Sequence, residues 1–441
     1  MFFDFFDSPK FDMAYHAKIR RIFAATMLAV TAIGPSPSIA IEHHRPTPGK
    51  TIDTLKKGLS SDMYMVRQDA MWRLIQAGTE AIPSLVEVVQ QGDLEAIVRG
   101  LYALEQIGQS GQPNCERTVE AALQTLARSP RKLTANRSQT RLLAFRKQRR
   151  QQAIAALRGL GAEVSLREEA AVMVRFTEKY QGGDNGLIHL QQLPEMEKLY
   201  FEGSTVGNRG LVHLQNLPQL QQLFLGGSQV TGAGLEHLAD LPQLEFLSLK
   251  GLPVSGKALL PLASLPRLAH LGLDETPIND AGLAHLEALP GLETLWLNQT
   301  QVTGSGLARL QKLPRLHKLV LTATAVQGPG LARLAPIASL RYLSLQDAPL
   351  EESAGAALAK LVQLETLGLD ATPIGDATVR QLAPLTSLKV LWLQKTRITD
   401  DGLAALHGMP GLRRVYLGET SVTQPAIQAL RARLPDCEVL E

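Results

Sequence analysis

Recognition is the chemistry this chain is best equipped for, because large aromatic side chains recur at one position of a 24-residue repeat. That position carries Tyr200, Phe224, Trp296, Trp392 and Tyr416, with Ser248, Gly272, Val320, Ser344 and Gly368 between them. Aromatic rings set beside small hollows offer much apolar area at little conformational cost, which suits them to anchor a protein, peptide or other extended partner. A second reading stays open, in which the bulky residues merely shield a solvent-facing sheet. Three residues ahead of this position the chain is acidic early (Glu197, Glu245, Glu293) and basic late (His317, Arg341, Lys389, Arg413), a gradient able to orient a polar partner. The other candidate is a basic cluster, Arg146, Lys147, Arg149 and Arg150, inside a stretch from Arg131 to Arg167 whose one acid is Glu163. Such a cluster suits an anionic envelope polymer or membrane surface, or is simply a solvated helix face.

Bond-making chemistry has no comparable candidate. The spacings G-x-S-x-G, H-E-x-x-H, C-x-x-C and the EF-hand loop are all missing from the sequence. His189, His213, His237 and His285 recur in the repeat frame, but no cysteine or carboxylate completes a coordination set, so solvated surface is the expectation and no metal is assigned. Pro48-Gly49-Lys50-Thr51 imitates the end of a phosphate-binding loop, yet His44 stands where its first glycine belongs. A net charge of +3 argues against a dedicated nucleic-acid binder. The expectation is therefore a non-enzyme without cofactor.

What positions the aromatic column is a repeat without insertion until its last copy. A leading apolar position runs Met196, Leu220, Leu244, Leu268, Leu292, Leu316, Leu340, Leu364, Leu388 and Leu412. Apolar residues follow three and five places later, as in Leu292, Leu295 and Leu297, giving L-x-x-L-x-L ten times over. The alternation predicts a short strand with its leucines inward and the aromatic position outward. Three places beyond each strand stands a hydroxyl (Ser204, Ser228, Thr276, Thr300, Thr324, Thr372, Thr396, Thr420), fit to satisfy backbone groups freed where the strand turns; Leu252 and Ala348 interrupt it. Thr231, Ser255, Asn279, Thr303, Thr399 and Thr423 are expected to cap a short helix, and prolines such as Pro218, Pro242 and Pro290 to end it.

The units Thr396-Arg397-Ile398-Thr399-Asp400-Asp401-Gly402-Leu403 and Thr276-Pro277-Ile278-Asn279-Asp280-Ala281-Gly282-Leu283 resemble bacterial leucine-rich repeats of the ribonuclease-inhibitor and F-box-like subclass. The resemblance covers residues 187 to 436, with departures at Glu351 to Ala357 and near Arg433. It implies an α/β fold: a leucine-rich repeat solenoid with parallel strands on the concave face and short helices on the convex face. One such unit cannot bury its own apolar side, so neighbours must stack.

The remaining organisation follows from composition shifts. Residues 163–186, with apolar runs at Val164 to Leu166 and Val172 to Phe176, read as a β-hairpin-like N-terminal cap of the repeat domain at 187–441, which ends in its own C-terminal cap. Residues 51–162 are similar to HEAT-type helical pairs: Val66-Arg67 with Ala70, Trp72 and Leu74 recurs 32 residues on as Val98-Arg99 with Leu101, Leu104 and Ile107. An all-α HEAT-like domain is thus expected ahead of the solenoid. Residues 1–40 read as a signal peptide, with Lys18, Arg20 and Arg21 before an apolar run and Ser38-Ile39-Ala40 as a cleavage site, and 41–50 as a linker. An uncleaved anchor, and a start at Met13 instead of Met1, remain open. The implied place is exported and bacterial: periplasmic, envelope or extracellular, with no stable membrane insertion once the signal is removed. Two cysteines, Cys115 and Cys437, give no disulfide framework.

Overall fold

The computed structural model describes residues 52–111 and 114–441, so the signal-like segment, the linker and the phosphate-loop imitation lie outside the described residues. The chain divides into two compact units between Ala135 and Asn136. The first is helical: α1 (Ile52–Gly58), α2 (Tyr64–Gln76), α3 (Ile82–Gln91), α4 (Leu94–Gly108), α5 (Cys115–Ala127) and the start of α6 (Lys132–Gly159). Local chemistry sets their ends. Pro83 opens α3, where its missing N–H costs nothing, and Asp93 caps α4 by accepting from the Ala96 N–H at 2.8 Å. Of the residues in the 32-residue register, Ala70, Leu74, Leu101, Leu104 and Ile107 are buried, whereas Val66, Trp72 and Val98 are exposed.

The second unit is built on a 13-stranded sheet whose strands follow one another in chain order. Strands β1 (Glu163–Arg167) and β2 (Ala170–Phe176) form an antiparallel hairpin, and β3 (Lys198–Phe201) pairs parallel with β2. From there one strand comes from each repeat: β4 (Gln222–Phe224), β5 (Phe246–Ser248), β6 (His270–Gly272), β7 (Thr294–Trp296), β8 (Lys318–Val320), β9 (Tyr342–Ser344), β10 (Thr366–Gly368), β11 (Val390–Trp392), β12 (Arg414–Tyr416) and the closing β13 (Glu438–Leu440). Partners are 24 residues apart throughout the repeats, as in Leu295 with Leu319. The inward positions at Leu292, Leu295 and Leu297 are fully buried, as are their counterparts above and below. They belong to one hydrophobic core that runs from Ala153 to Val439.

The turn after each strand is made the same way in all ten repeats. Its second residue is left-handed: Gly203, Gly227 and Gly251 first, then Glu275, Gln299, Ala323, Asp347, Ala371, Lys395 and Glu419, with φ between 52° and 81°. Side chains rarely tolerate that conformation, but from Gly251 to Lys395 the N–H of this residue donates to the next repeat, Gln299 to the Thr322 carbonyl at 2.9 Å for example. At Gly227 a Cβ would lie 2.7 Å from the Gly203 nitrogen, so only glycine fits. The hydroxyl that follows donates back to the strand's last carbonyl: Thr276 to Leu273, Thr300 to Leu297, Thr324 to Leu321, Thr396 to Leu393 and Thr420 to Leu417, at 2.6 to 2.8 Å. Leu252 and Ala348, which lack the hydroxyl, are buried in the core, so apolar contact seals those two turns.

The expected threonine caps mostly serve another purpose. Asn279 does cap, accepting from the Gly282 N–H at 3.1 Å, and Thr399 accepts from Asp401 at 3.4 Å. Elsewhere the residue is a donor to the preceding repeat: the Asp400 carboxylate accepts from the Thr423 N–H and hydroxyl at 2.7 and 2.8 Å, and Asp376 does the same for Thr399. Asp280 holds Thr303 likewise, whereas Asn208 accepts from the Thr231 N–H and donates its own amide to the Thr231 hydroxyl, both at 2.8 Å. Where this clamping position is glycine, backbones pack instead. A Cβ on Gly304 would fall 2.6 Å from Gly330 Cα, and one on Gly330 would fall 2.2 Å from Gly304 Cα. Burial works against ionisation of Asp280, but hydrogen bonds from Ser305, Thr303 and the Gly306 N–H together hold its carboxyl below the usual range.

Different elements lie at the two ends of the sheet. The β1–β2 hairpin, joined through left-handed Glu168, lays Val174 and Phe176 over the first repeat, while Ala153, Ile154 and Leu157 of α6 join the same core. At the far end Cys437 and Val439 are buried, and burial pushes the Cys437 thiol up. Leu297→Ala is expected to cost about 2–5 kcal/mol in chemical denaturation, since two neighbouring turns share its contacts. Gly330→Ala should cost about 1–3 kcal/mol, because backbone and not a flexible side chain blocks the new methyl.

Candidate recognition surface

The outward face of the ladder is set by the same alternation that buries the leucines. Tyr200, Phe224, Trp296, Trp392 and Tyr416 all lie on it, each half-buried. They are not five separate anchors. Tyr200 and Phe224 stack with centroids 4.4 Å apart and planes 7° from parallel, and Trp392 stacks on Tyr416 at 5.7 Å. The register joins Trp296 to Val320, Ser344, Gly368 and Trp392 in one row, so the two tryptophans stand at either end of a floor of small residues.

A second outward position, two residues earlier on each strand, completes the surface. Phe246 touches both Phe224 (4.7 Å) and Trp296 (5.7 Å), and Tyr342 touches Trp392 (5.9 Å). Lys318 lies between the two groups, its ammonium 5.7 Å from the Trp296 ring and 4.6 Å from that of Tyr342. Arg175 of the cap covers Tyr200 at 5.2 Å. The result is a band of rings and cations from β2 to β12, each contact of the kind that stabilises by about 0.5–1.5 kcal/mol. Reading only the central position misses Phe246, Lys318 and Tyr342; the alternation itself was the signal that could have found them.

Beyond the central row lies an acidic margin. Burial pushes the Asp274 carboxyl up despite its bond from the Asn298 N–H. Burial likewise raises Asp370, with Asp347 adding to the effect, and burial followed by Asp370 raises the Tyr342 phenol. On the opposite margin the acid-to-base gradient is largely matched from within. Glu197 pairs with Arg167 at 2.7 Å, Glu245 with Arg267 at 3.6 Å, Glu293 with Arg315, and Glu365 with both Arg341 and Lys389.

The basic cluster on α6 is engaged with its own unit. Lys147 pairs with Glu169 at 2.7 Å and Arg150 with Glu195 at 2.5 Å, while Arg149 is buried with its guanidinium 5.6 Å from the Phe145 ring. Arg146 is exposed on the same helix. The lysine hydrogen bond holds Glu169 below the usual carboxylate range. The repeat histidines do not converge: His213 meets Gln191 at 3.1 Å and His237 lies 3.9 Å from Glu236. Among the described residues no group of three histidine, cysteine or carboxylate side chains could hold a metal ion, and no helix is long and apolar enough to cross a membrane.

The fold is a leucine-rich repeat solenoid, mixed α/β, following a helical region. No protein-family model and no characterised protein sequence matches the chain. Solved structures do. An internalin from Listeria monocytogenes is 18% identical over 66% of this chain and 94% of its own, with a TM-score of 0.41. TLR13 in complex with ssRNA13 is 20% identical over 57% of this chain but 36% of its own, with a TM-score of 0.42. A leucine-rich repeat protein of Leptospira interrogans is 16% identical over 57% of this chain and 80% of its own, with a TM-score of 0.36.

The raised Asp274 has a measurable consequence. A carboxyl harder to ionise in the folded chain than in the unfolded one penalises folding above its raised value, and the penalty vanishes below the ordinary carboxylate range. Asp274→Asn, which keeps an acceptor for the Asn298 N–H, is expected to stabilise the unit at pH 7. That gain should fade as the pH falls through the carboxylate range in parallel denaturation series.

Proposed function

We propose that this protein is a non-catalytic scaffold whose concave sheet binds a protein or peptide partner. The observation that carries this reading is the continuous aromatic and cationic band, mounted on the parallel strand ladder and half-open to solvent. Centrally placed tryptophans and tyrosines dominate the energetics of recognition surfaces, since they combine a large apolar face with a polar tip. The small-residue floor from Val320 to Gly368 leaves room for a partner's side chains between Trp296 and Trp392. Within this reading the helical segment at 51–162, HEAT-like in its pattern, is a spacer or second contact, and the signal-like residues 1–40 are in keeping with export from a bacterial cell.

The alternative, an envelope component that grips glycan or anionic polymer through Arg146, Lys147, Arg149 and Arg150, draws less support. Two of those cations are already ion-paired and a third is buried.

Affinity capture from the native envelope tests the leading reading. Trp296→Ala with Trp392→Ala should remove most of the bound partner, a loss of about 2 kcal/mol or more for each anchor, while thermal unfolding stays cooperative. Capture unchanged by the double substitution would leave the rings as sheet shielding. Binding that instead falls with salt and with neutralisation of Arg146 would favour the polymer.

A further inference from the structure

We propose that the concave sheet carries two copies of one subsite, each taking an arginine side chain of the partner, so that it recognises a segment with two arginines about 19 Å apart. This rests on the reading of that sheet as a recognition face. The first copy is Phe246, Gly272, Asp274 and Trp296; the second, four strands further along, is Tyr342, Gly368, Asp370 and Trp392. No other repeat joins these types. Glycine and tryptophan occur at the central outward position, a phenyl or phenol ring two places before it, and aspartate two places beyond it, in these two sets alone. Positions around them differ, Lys250 against Gln346, His270 against Thr366 and Thr294 against Val390.

Both copies have the same geometry. The glycine strand lies between the strand of the smaller ring and that of the tryptophan, and the two rings meet across it, at 5.7 Å and 54° in the first copy and 5.9 Å and 59° in the second. A Cβ on Gly368 would already lie 3.4 Å from the Trp392 ring, so a larger side chain would press the rings apart. The aspartate is fixed by the next strand: Asp274 accepts from the Asn298 N–H at 2.9 Å, and Asp370 from the Gln394 N–H at 2.8 Å.

The charges decide the guest. Both carboxylates are half-buried, and among the described residues neither has an ion pair. Lys250, the cation beside Asp274, pairs instead with Glu275 at 3.1 Å, and the charge beside Asp370 is another acid, Asp347. A carboxylate so placed favours a cation, and aromatic rings attract one as well. Rings of this face already hold cations: Lys318 between the two copies, near Trp296 and Tyr342, and Arg175 over Tyr200. A guanidinium meets both demands at once, its plane stacking on a ring while its N–H edge donates to the carboxylate; an ammonium lacks that planar fork. Four strand spacings of about 4.8 Å separate the copies, a span that an extended chain rising about 3.3 Å per residue covers in roughly six residues.

Titration calorimetry of the full chain in low salt tests this with a glycine-serine peptide carrying two arginines about six residues apart. The controls are the same peptide with citrulline for arginine, one with a single arginine, and maltohexaose. The two-arginine peptide should bind saturably, the single-arginine peptide about tenfold or more weaker because it fills one copy at a time, and the citrulline peptide and the sugar not at all. Asp274→Asn or Asp370→Asn should each reduce the two-arginine peptide to the single-arginine level, and together they should abolish its binding. Both keep an acceptor for the next strand's N–H, and an unfolding midpoint at or above the parent's verifies the fold. No saturable heat, equal binding of the citrulline peptide, preference for the sugar, or binding that survives the double substitution would overturn the proposal. Capture of the native partner that is lost with the tryptophans but kept in the double Asp→Asn variant would also overturn it, and would leave the scaffold reading in place; capture indifferent to the tryptophans overturns both.

Discussion

Everything in the repeat unit follows from one shortage: a 24-residue coil has too little interior to bury its own leucines. Leu292, Leu295 and Leu297 are fully sheltered only because the coils on both sides close over them. Stacking is therefore a condition of folding and not a consequence of it. It forces the strands into parallel register at a fixed 24-residue interval, and it makes the two ends, where no neighbour exists, the places that need different structures. The β1–β2 hairpin with Phe176 meets that need at one end, and Cys437 and Val439 at the other.

Stacking also brings backbone polar groups close together away from water, where an unpaired one costs roughly 1–3 kcal/mol. The chain answers on each side of the coil with a different device. At the strand's exit a threonine hydroxyl covers the last carbonyl and a left-handed residue aims its N–H across to the next repeat. At the helix entrance either an acidic or amide side chain clamps the threonine one repeat further on, or glycines such as Gly304 and Gly330 let the two backbones touch. Clamp and glycine seam are two solutions to one packing problem, which is why residues as unlike as Asp280 and Gly304 occupy the same position of consecutive repeats.

The strand ladder and most of the hydroxyl column were legible in the sequence because each depends on local alternation or on a strict interval. What was not legible depends on partners at a distance. Thr423 stands at the N-cap its spacing suggests, but its hydroxyl donates to Asp400 in the preceding coil and accepts no bond from its own helix. Lys147 and Arg150 read as an open basic face until Glu169 and Glu195 are brought against them by the cap and first repeat. Within the recurring pattern of the helical region, Trp72 is 62% exposed while Ala70 and Leu74 are buried.

The aromatic band bears on how such a face can recognise anything at all. Rings on adjacent strands stand close enough to stack, so Tyr200 and Phe224 spend their faces on each other and offer a partner mainly their edges. Along the central row the tryptophans have only Val320, Ser344 and Gly368 between them, while Lys318 and Tyr342 of the neighbouring row lie against their rings. Stacked pairs therefore close the flanks of the sheet, and between Trp296 and Trp392, with Lys318 and Tyr342 on one side and Asp370 near the other, apolar surface, positive charge and negative charge lie close together.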